Sequence, residues 1–313
     1  MILAKNFSVS SKRLYIAVEY SHPKFKLEES IMKKILAVIF LLAVMASFAH
    51  AEPVKHGQCW TVSELTELDK ENVAGGKGTL HGEFAFIRDN ARDDDAIKEI
   101  GFMTLKHGAF IGLHKHNDNE DAYLIISGTG IFTDGDGNAY VVRPGDMTIA
   151  RPGQWHGLAN INSDELIFLD IIAKNGAANL EAVTANPTPQ YFPFAKLFDK
   201  NVEHAGGTGE GTLYGKFAFR REQATEDQAI KEIGLMTLKP GESIGLHKHD
   251  ANEDTYIILS GTGTFTDSNG EEYIVGPQSV TIAVAGESHA LKNTGKEDLV
   301  FIDLIAQNHA LKK

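Results

Sequence analysis

Ten side chains in this sequence have the types and spacing to hold metal ions, in two matching sets: His114, His116, Glu120, Asp121 and His156, then His247, His249, Glu253, Asp254 and His289. Each set begins with Ile-Gly-Leu-His-Lys-His, continues through a polar loop to Asn-Glu-Asp, and closes a hydrophobic run on Ser-Gly-Thr-Gly. Histidines two residues apart share a face only on a strand, where successive side chains alternate sides. A short hairpin then brings a carboxylate of the next strand beside them, and the third histidine arrives from further along the repeat. Three imidazoles and one carboxylate make a mixed nitrogen and oxygen ligand set. Strand alternation leaves the acid open. If Asp121 faces the metal, Tyr123 and Ile125 share its face; if Glu120 does, Ala122 and Leu124 share it.

The elements that position these residues are written twice. Thr79 to Ala173 aligns with Thr212 to Ala306 at a constant offset, without a gap and with more than half the positions identical. That marks an internal duplication and two similar domains. Within each copy, short runs rich in β-branched and aromatic residues, such as Glu83 to Ile87, Ile100 to Leu105 and Leu166 to Ile172, are separated by turns such as Asp134-Gly135-Asp136-Gly137-Asn138. Many short strands with glycine-rich turns predict an all-β sandwich or barrel. Helix is expected only in short pieces: around Ser63 to Leu68, around Phe194 to Phe198, and as helix or loop from Ala91 to Lys98. The Asp134 to Asn138 segment lacks the distal glutamate of a calcium hand and reads as a tight hairpin. Tyr191, Phe192 and Phe194 are expected to pack on a barrel, and Trp155 either lines a cavity mouth or sits in the core.

The chain has 313 residues, 42% hydrophobic and 23% charged, with a formal charge of -12. Residues 1–51 carry seven of the basic and three of the acidic residues, so the remainder stands at -16. A surface of that sign repels phosphate backbones, and no nucleic-acid partner is expected. Met32-Lys33-Lys34, an apolar run, and Ala49-His50-Ala51 read as a secretory signal, with translation expected to start at Met32 and residues 1–31 expected to be an upstream mis-start. The apolar run is short for a membrane span. The mature protein is therefore expected in the periplasm or outside the cell, free of the membrane. Its lone cysteine, Cys59, permits no intrachain disulfide and reads as a small buried hydrophobe.

These motifs resemble the cupin superfamily. Gly108 with His114 and His116, and Gly241 with His247 and His249, fit the first cupin motif; Gly145, Gly153, His156 and Asn160 fit the second. In the second copy Gly286, His289 and Asn293 fit, while Gln278 and Val284 replace a glycine and a proline. The resemblance implies two tandem double-stranded β-helix (jelly-roll) barrels, at 79–174 and 212–307, with an N-terminal segment at 52–78, a linker at 175–211 and a tail at 308–313. It implies one divalent ion per barrel, drawn from manganese, iron, nickel, copper, cobalt and zinc. Because Glu is the family residue, Glu120 and Glu253 are the preferred acid ligands, with Asp121 and Asp254 as rivals.

The function implied is that of an exported metal-binding bicupin acting on a small oxygen-rich molecule, as a dioxygenase or decarboxylase; the other reading is a non-catalytic ligand-binding or structural bicupin. Ile111 and Ile244 stand where oxalate decarboxylase carries an arginine, so the cation for an oxalate carboxylate is expected to be missing and oxalate chemistry is not expected. Glu99, Glu232, Tyr123 and Tyr256 occur in both copies and read as acid–base or structural groups. The first copy lies closer to the family pattern, so if only one barrel is catalytic it is expected to be the first. Exposed barrel edges favour self-association.

Overall fold

The structure, a computed structural model, describes residues 58–174 and 189–307. The proposed signal, the upstream segment, the first part of the linker and the tail lie outside the described residues. Among these residues all regular structure is strand, apart from four three-residue 3-10 turns, and no helix is long and apolar enough to cross a membrane.

Each repeat forms a seven-stranded and a four-stranded antiparallel sheet. In the first, the large sheet runs Tyr191–Phe192, Met147–Ala150, Asn119–Ser127, Leu166–Lys174, Ile97–Leu105, Thr79–Phe86 and Thr66–Glu71; the small one runs Phe110–Lys115, Trp155–Ala159, Gly130–Thr133 and Ala139–Val142. The second repeat has the same order, from Cys59–Trp60 through Val280–Ala283 to Phe198–Glu203, with a small sheet led by Ser243–Lys248. The two outermost entries are exchanged. Cys59–Trp60 precedes the first barrel but pairs with Val280 and Thr281 of the second, and Tyr191–Phe192 precedes the second but pairs with Met147 and Thr148 of the first. Each exchanged segment is pinned by a glutamine. Gln58 donates to the carbonyl of Ile282 and accepts from the Ser268 N–H, and Gln190 donates to the carbonyl of Trp155 and accepts from the Gly135 N–H.

The expected helices resolve differently. Ser63 to Leu68 becomes a 3-10 turn over Val62–Glu64 and then an edge strand; Phe194 to Phe198 becomes one 3-10 turn before the strand Phe198–Glu203; Ala91 to Lys98 is loop until the strand that opens at Ile97. Pairing with a neighbouring sheet outweighs weak local helix propensity in pieces this short. The linker aromatics pack as expected, Tyr191 on Tyr140 at 4.8 Å and Phe192 on Phe219 at 5.7 Å between ring centroids. The glycine closing the first motif is required by its place. Gly128 has φ +82°, and a Cβ there would lie 2.3 Å from the Glu165 carbonyl oxygen.

The long strands are nearly all apolar because both faces are covered. In Leu166–Lys174, Leu166 and Phe168 pack inside the first barrel, whereas Leu169, Ile171 and Ala173 join a core that also contains Ile230, Ile233, Ile282, Ile302 and Leu304 of the second. Each fully buried Leu, Ile or Phe in it contributes about 1.5–3 kcal/mol. One barrel's outer sheet face is therefore core for the other. Gln278, which replaces the family glycine, keeps the left-handed turn with φ 66° and donates to Glu83 of the first barrel.

Candidate metal centre

Strand alternation decides the acid. On Asn119–Ser127 the side chains of Asp121, Tyr123 and Ile125 point into the first barrel, while those of Glu120, Ala122 and Leu124 point toward the second. His114, His116, Asp121 and His156 meet at one point, and His247, His249, Asp254 and His289 meet at another. Glu120 and Glu253, preferred on family grounds, are turned away. Glu120 is fully buried against the backbone N–H groups of Ala229 and Ile230 and the guanidinium of Arg151, and Glu253 against those of Ala96 and Ile97. The correction has a physical cause: a carboxylate facing the packed interface needs donors there, and each barrel offers the other two backbone N–H groups.

In the first cluster the three Nε2 atoms form a triangle with sides of 3.1, 2.8 and 3.2 Å, and Asp121 Oδ2 lies 3.4 and 3.3 Å from those of His116 and His156. In the second, His249 Nε2 lies 3.1 Å from both His247 and His289, with Asp254 Oδ2 at 3.3 and 3.4 Å from His249 and His289. A neutral imidazole has one N–H, so three ring nitrogens this close cannot all be satisfied by one another. A cation between them does satisfy them. Nitrogens about 2.1 Å from a common ion and at right angles to one another stand about 3.0 Å apart, so the triangle fits one face of an octahedron.

The surroundings aim the donors inward. His114 Nδ1 is 2.9 Å from the Gly112 carbonyl oxygen and His116 Nδ1 2.6 Å from Asn119 Oδ1; His247 and His249 repeat this at 2.9 and 2.8 Å with Gly245 and Asn252. Such partners hold the proton on Nδ1 and leave Nε2 free to ligate. Burial lowers His156 to about 4, aided by the nearby His116 and His114, so its ring is neutral at pH 7. Burial opposes the charge of Asp254, but the hydrogen bond and charge of His289 prevail and bring it down to about 2. Asp121 is likewise held below the ordinary carboxylate range. Tyr123 stacks on His156 at 4.9 Å and donates to Asp121 Oδ2 at 3.2 Å; Tyr256 stacks on His289 at 4.5 Å.

Asp170 and Asp303 are buried behind the clusters. Burial first, then the charges of Asp121 and Glu99, raise Asp170 well above its ordinary value; Asp303 is raised by burial, Asp254 and Glu232. Each therefore holds its proton to a higher pH than an ordinary carboxyl and can share it with the acid in front of it. A carboxyl raised on folding contributes stability below its unfolded value near 4, and that contribution is lost as pH rises toward the folded value. His156 and His289, lowered on folding, act in the opposite sense but only below about pH 6.5. Urea unfolding of chelator-treated protein should thus show stability falling as pH rises above about 6.5, with a slope of at most about 1.4 kcal/mol per pH unit for each such acid. Asp170→Asn, whose amide donates without a titrating proton, should flatten the slope; an unchanged slope would refute the assignment.

Each cluster opens into a cavity, of about 310 Å³ in the first barrel and about 210 Å³ in the second. Cationic side chains do line both cavities, from positions other than Ile111 and Ile244. Arg88 and Lys70 line the first cavity, with Arg88 Nε 3.3 Å and Lys70 Nζ 3.7 Å from Glu99; Arg220 and Arg221 line the second, 3.3 and 3.5 Å from Glu232. Burial works against the Arg88 charge, and Glu99, Asp170 and Asp121 more than offset it. Arg88 and Arg221 occupy equivalent positions in the two copies, which is the signal that would have found them. Trp155 is neither at the metal cavity nor in the core: at 43% exposure it lies outside, on the groove with Tyr140 and Gln190. Asp134 accepts the N–H groups of Asp136 and Asn138, a hairpin as expected. Burial pushes the half-buried Cys59 thiol up to about 12, with Glu64 and Asp267 adding to it, so it is inert at neutral pH.

The cupin domain family model matches residues 101–172 and 234–305. The oxalate-binding protein of Thermotoga maritima is 44% identical over 70 residues, 22% of this chain and 57% of that protein; auxin-binding protein 1 of Arabidopsis thaliana is 30% identical over 84 residues, 24% and 42%. The chain thus spans about half the length of these relatives. Among solved structures, the oxalate decarboxylase of Lactobacillus farciminis in a formate complex shares the fold with a TM-score of 0.58 at 15% identity, over 81% of this chain and 87% of that one. A Bacillus subtilis oxalate decarboxylase gives 0.58 at 17%, over 81% and 78%, and the enzyme from that organism has Mn(II) centres.

Proposed function

This chain is a cupin with two such domains, and from that premise we propose that it is an exported, metal-loaded protein that takes a small carboxylate anion of oxalate's kind at each ion. The observation that carries the reading is the meeting, in one small cavity, of a three-histidine, one-aspartate cluster with Arg88 and Lys70. An octahedral ion held by four protein groups keeps two positions open, which suits the two oxygens of a chelating carboxylate. When bound, the ion supplies Lewis-acid or electron-carrier chemistry. Manganese is in keeping with the octahedral geometry. The leader read in residues 32–51 supports export.

Glu99 favours a catalytic version of this reading, of the decarboxylase type. It is 3% exposed, lines the first cavity and is held by Arg88 and Lys70. A carboxylate so placed can take the acidic proton of hydrogen oxalate and return it to carbon as the C–C bond breaks, giving formate and carbon dioxide. Calorimetric titration of oxalate into manganese-loaded protein tests the binding step. Arg88→Ala, which removes a charge-assisted contact, should weaken the first site about 10- to 100-fold. Equal affinity in Arg88→Ala and wild type would overturn the role given to Arg88. Formate release lost in Glu99→Gln would support catalysis; tight binding without turnover would leave a binding protein.

A further inference from the structure

Glu120 and Glu253 take no part in the clusters, yet each is the chain neighbour of a cluster aspartate and reaches into the opposite barrel. Glu120 Oε1 accepts the Ala229 N–H at 2.8 Å and Oε2 that of Ile230 at 3.0 Å; Glu253 Oε1 accepts the Ala96 N–H at 2.8 Å and Oε2 that of Ile97 at 2.9 Å. The N–H groups so held end the loops 88–96 and 221–229. Those loops begin at Arg88 and Arg221 and lead directly into Glu99 and Glu232, all four of which line the cavities. Each loop is also cross-tied by a lysine of the following strand. Lys98 Nζ donates to the Arg92 carbonyl, and Lys231 Nζ to those of Thr225 and Glu226.

A continuous run of contacts therefore leads from Asp254 through Glu253 to the loop that presents Arg88 in the other barrel, and from Asp121 through Glu120 to the loop that presents Arg221. We infer that the two sites are coupled through these reciprocal glutamates, so that an ion in one barrel fixes the anion-binding loop of the other. Glu120 and Glu253 are positioning residues acting across the interface. The inference rests on the reading of the clusters as metal sites. The rigid carrier is short: neighbouring residues on one strand cannot turn independently, and their two faces belong to two different barrels.

Hydrogen–deuterium exchange of the full chain tests this, with cobalt(II) alone as the probe and its visible absorption reporting uptake. In His114→Ala, which disables the first cluster, cobalt entering the second should slow exchange over residues 88–97 of the first barrel roughly fivefold. In His114→Ala/Glu253→Gln, which retains every ligand of the second cluster, that protection should vanish. The mirror pair, His247→Ala with and without Glu120→Gln, should do the same for residues 221–230 and decides the matter if one double variant fails to fold. Cobalt uptake with no change in the opposite loop would overturn the coupling alone, and protection surviving both glutamine substitutions would overturn the route. No uptake by any variant or by wild type would overturn the metal reading and the coupling with it.

Discussion

Wild-type protein incubated with a divalent transition metal and dialysed is expected to retain two equivalents per chain, His156→Ala one, and His156→Ala/His289→Ala none. The two histidines are fully buried, and each places Nε2 within 3.4 Å of the cluster aspartate. Loss of an outer-shell partner alone costs 10- to 100-fold in metal affinity, so loss of a ligand should cost on the order of 100-fold or more. Asp121→Asn should fall in the same range, because it removes the anionic donor while keeping its shape. Elemental analysis reads all of this directly. Two equivalents surviving in the double histidine variant would place the metal elsewhere, and none taken up by wild type would remove the metal from the account. The clusters are set up for binding at neutral pH, with His156 neutral and Asp121 and Asp254 ionised, so occupancy should not call for alkaline conditions.

The barrels and the histidines were legible because both rest on local periodicity. A His-x-His pair on a strand has only one way to share a face, and the duplication repeats the whole pattern at a constant offset. The acid was not legible, because both candidates sit on the same strand and the choice depends on what covers its second face. That cover is the other barrel, a tertiary fact with no local trace. Arg88 was missed for a different reason. It leaves the sheet in a polar loop without hydrophobic period, and the family resemblance places the expected cation at Ile111. Its clue lay in the duplication: Arg88 and Arg221 stand at equivalent positions while the residues between them and the next strand diverge. The short helices are absent because edge strands borrow their stability from a neighbouring sheet, and Thr66–Glu71 pairs with Thr79–Phe86 across the turn at 72–78.

Glu120→Ala is expected to damage the fold rather than the metal stoichiometry. The carboxylate is fully buried and joins three donors of two barrels: the N–H groups of Ala229 and Ile230, and the guanidinium of Arg151. Arg151 is 3% exposed, sits 5.1 Å from the Phe219 ring centroid, and already has a buried Nε without a partner. Removing its counter-ion strands a buried cation, which typically costs 3–5 kcal/mol. That is a large part of the ~5–15 kcal/mol that holds an ordinary domain together. Denaturant unfolding of the metal-free protein measures it. Glu120→Ala/Arg151→Met should recover part of the loss, since no charge is then left alone in the interface, although two backbone N–H groups remain orphaned. At Glu253 the position equivalent to Arg151 is Val284, so Glu253→Ala should cost less than Glu120→Ala. Equal losses at the two glutamates, or a Glu120→Ala protein within about 1 kcal/mol of wild type, would mean that Arg151 finds other partners and that the interface is held by its apolar core alone.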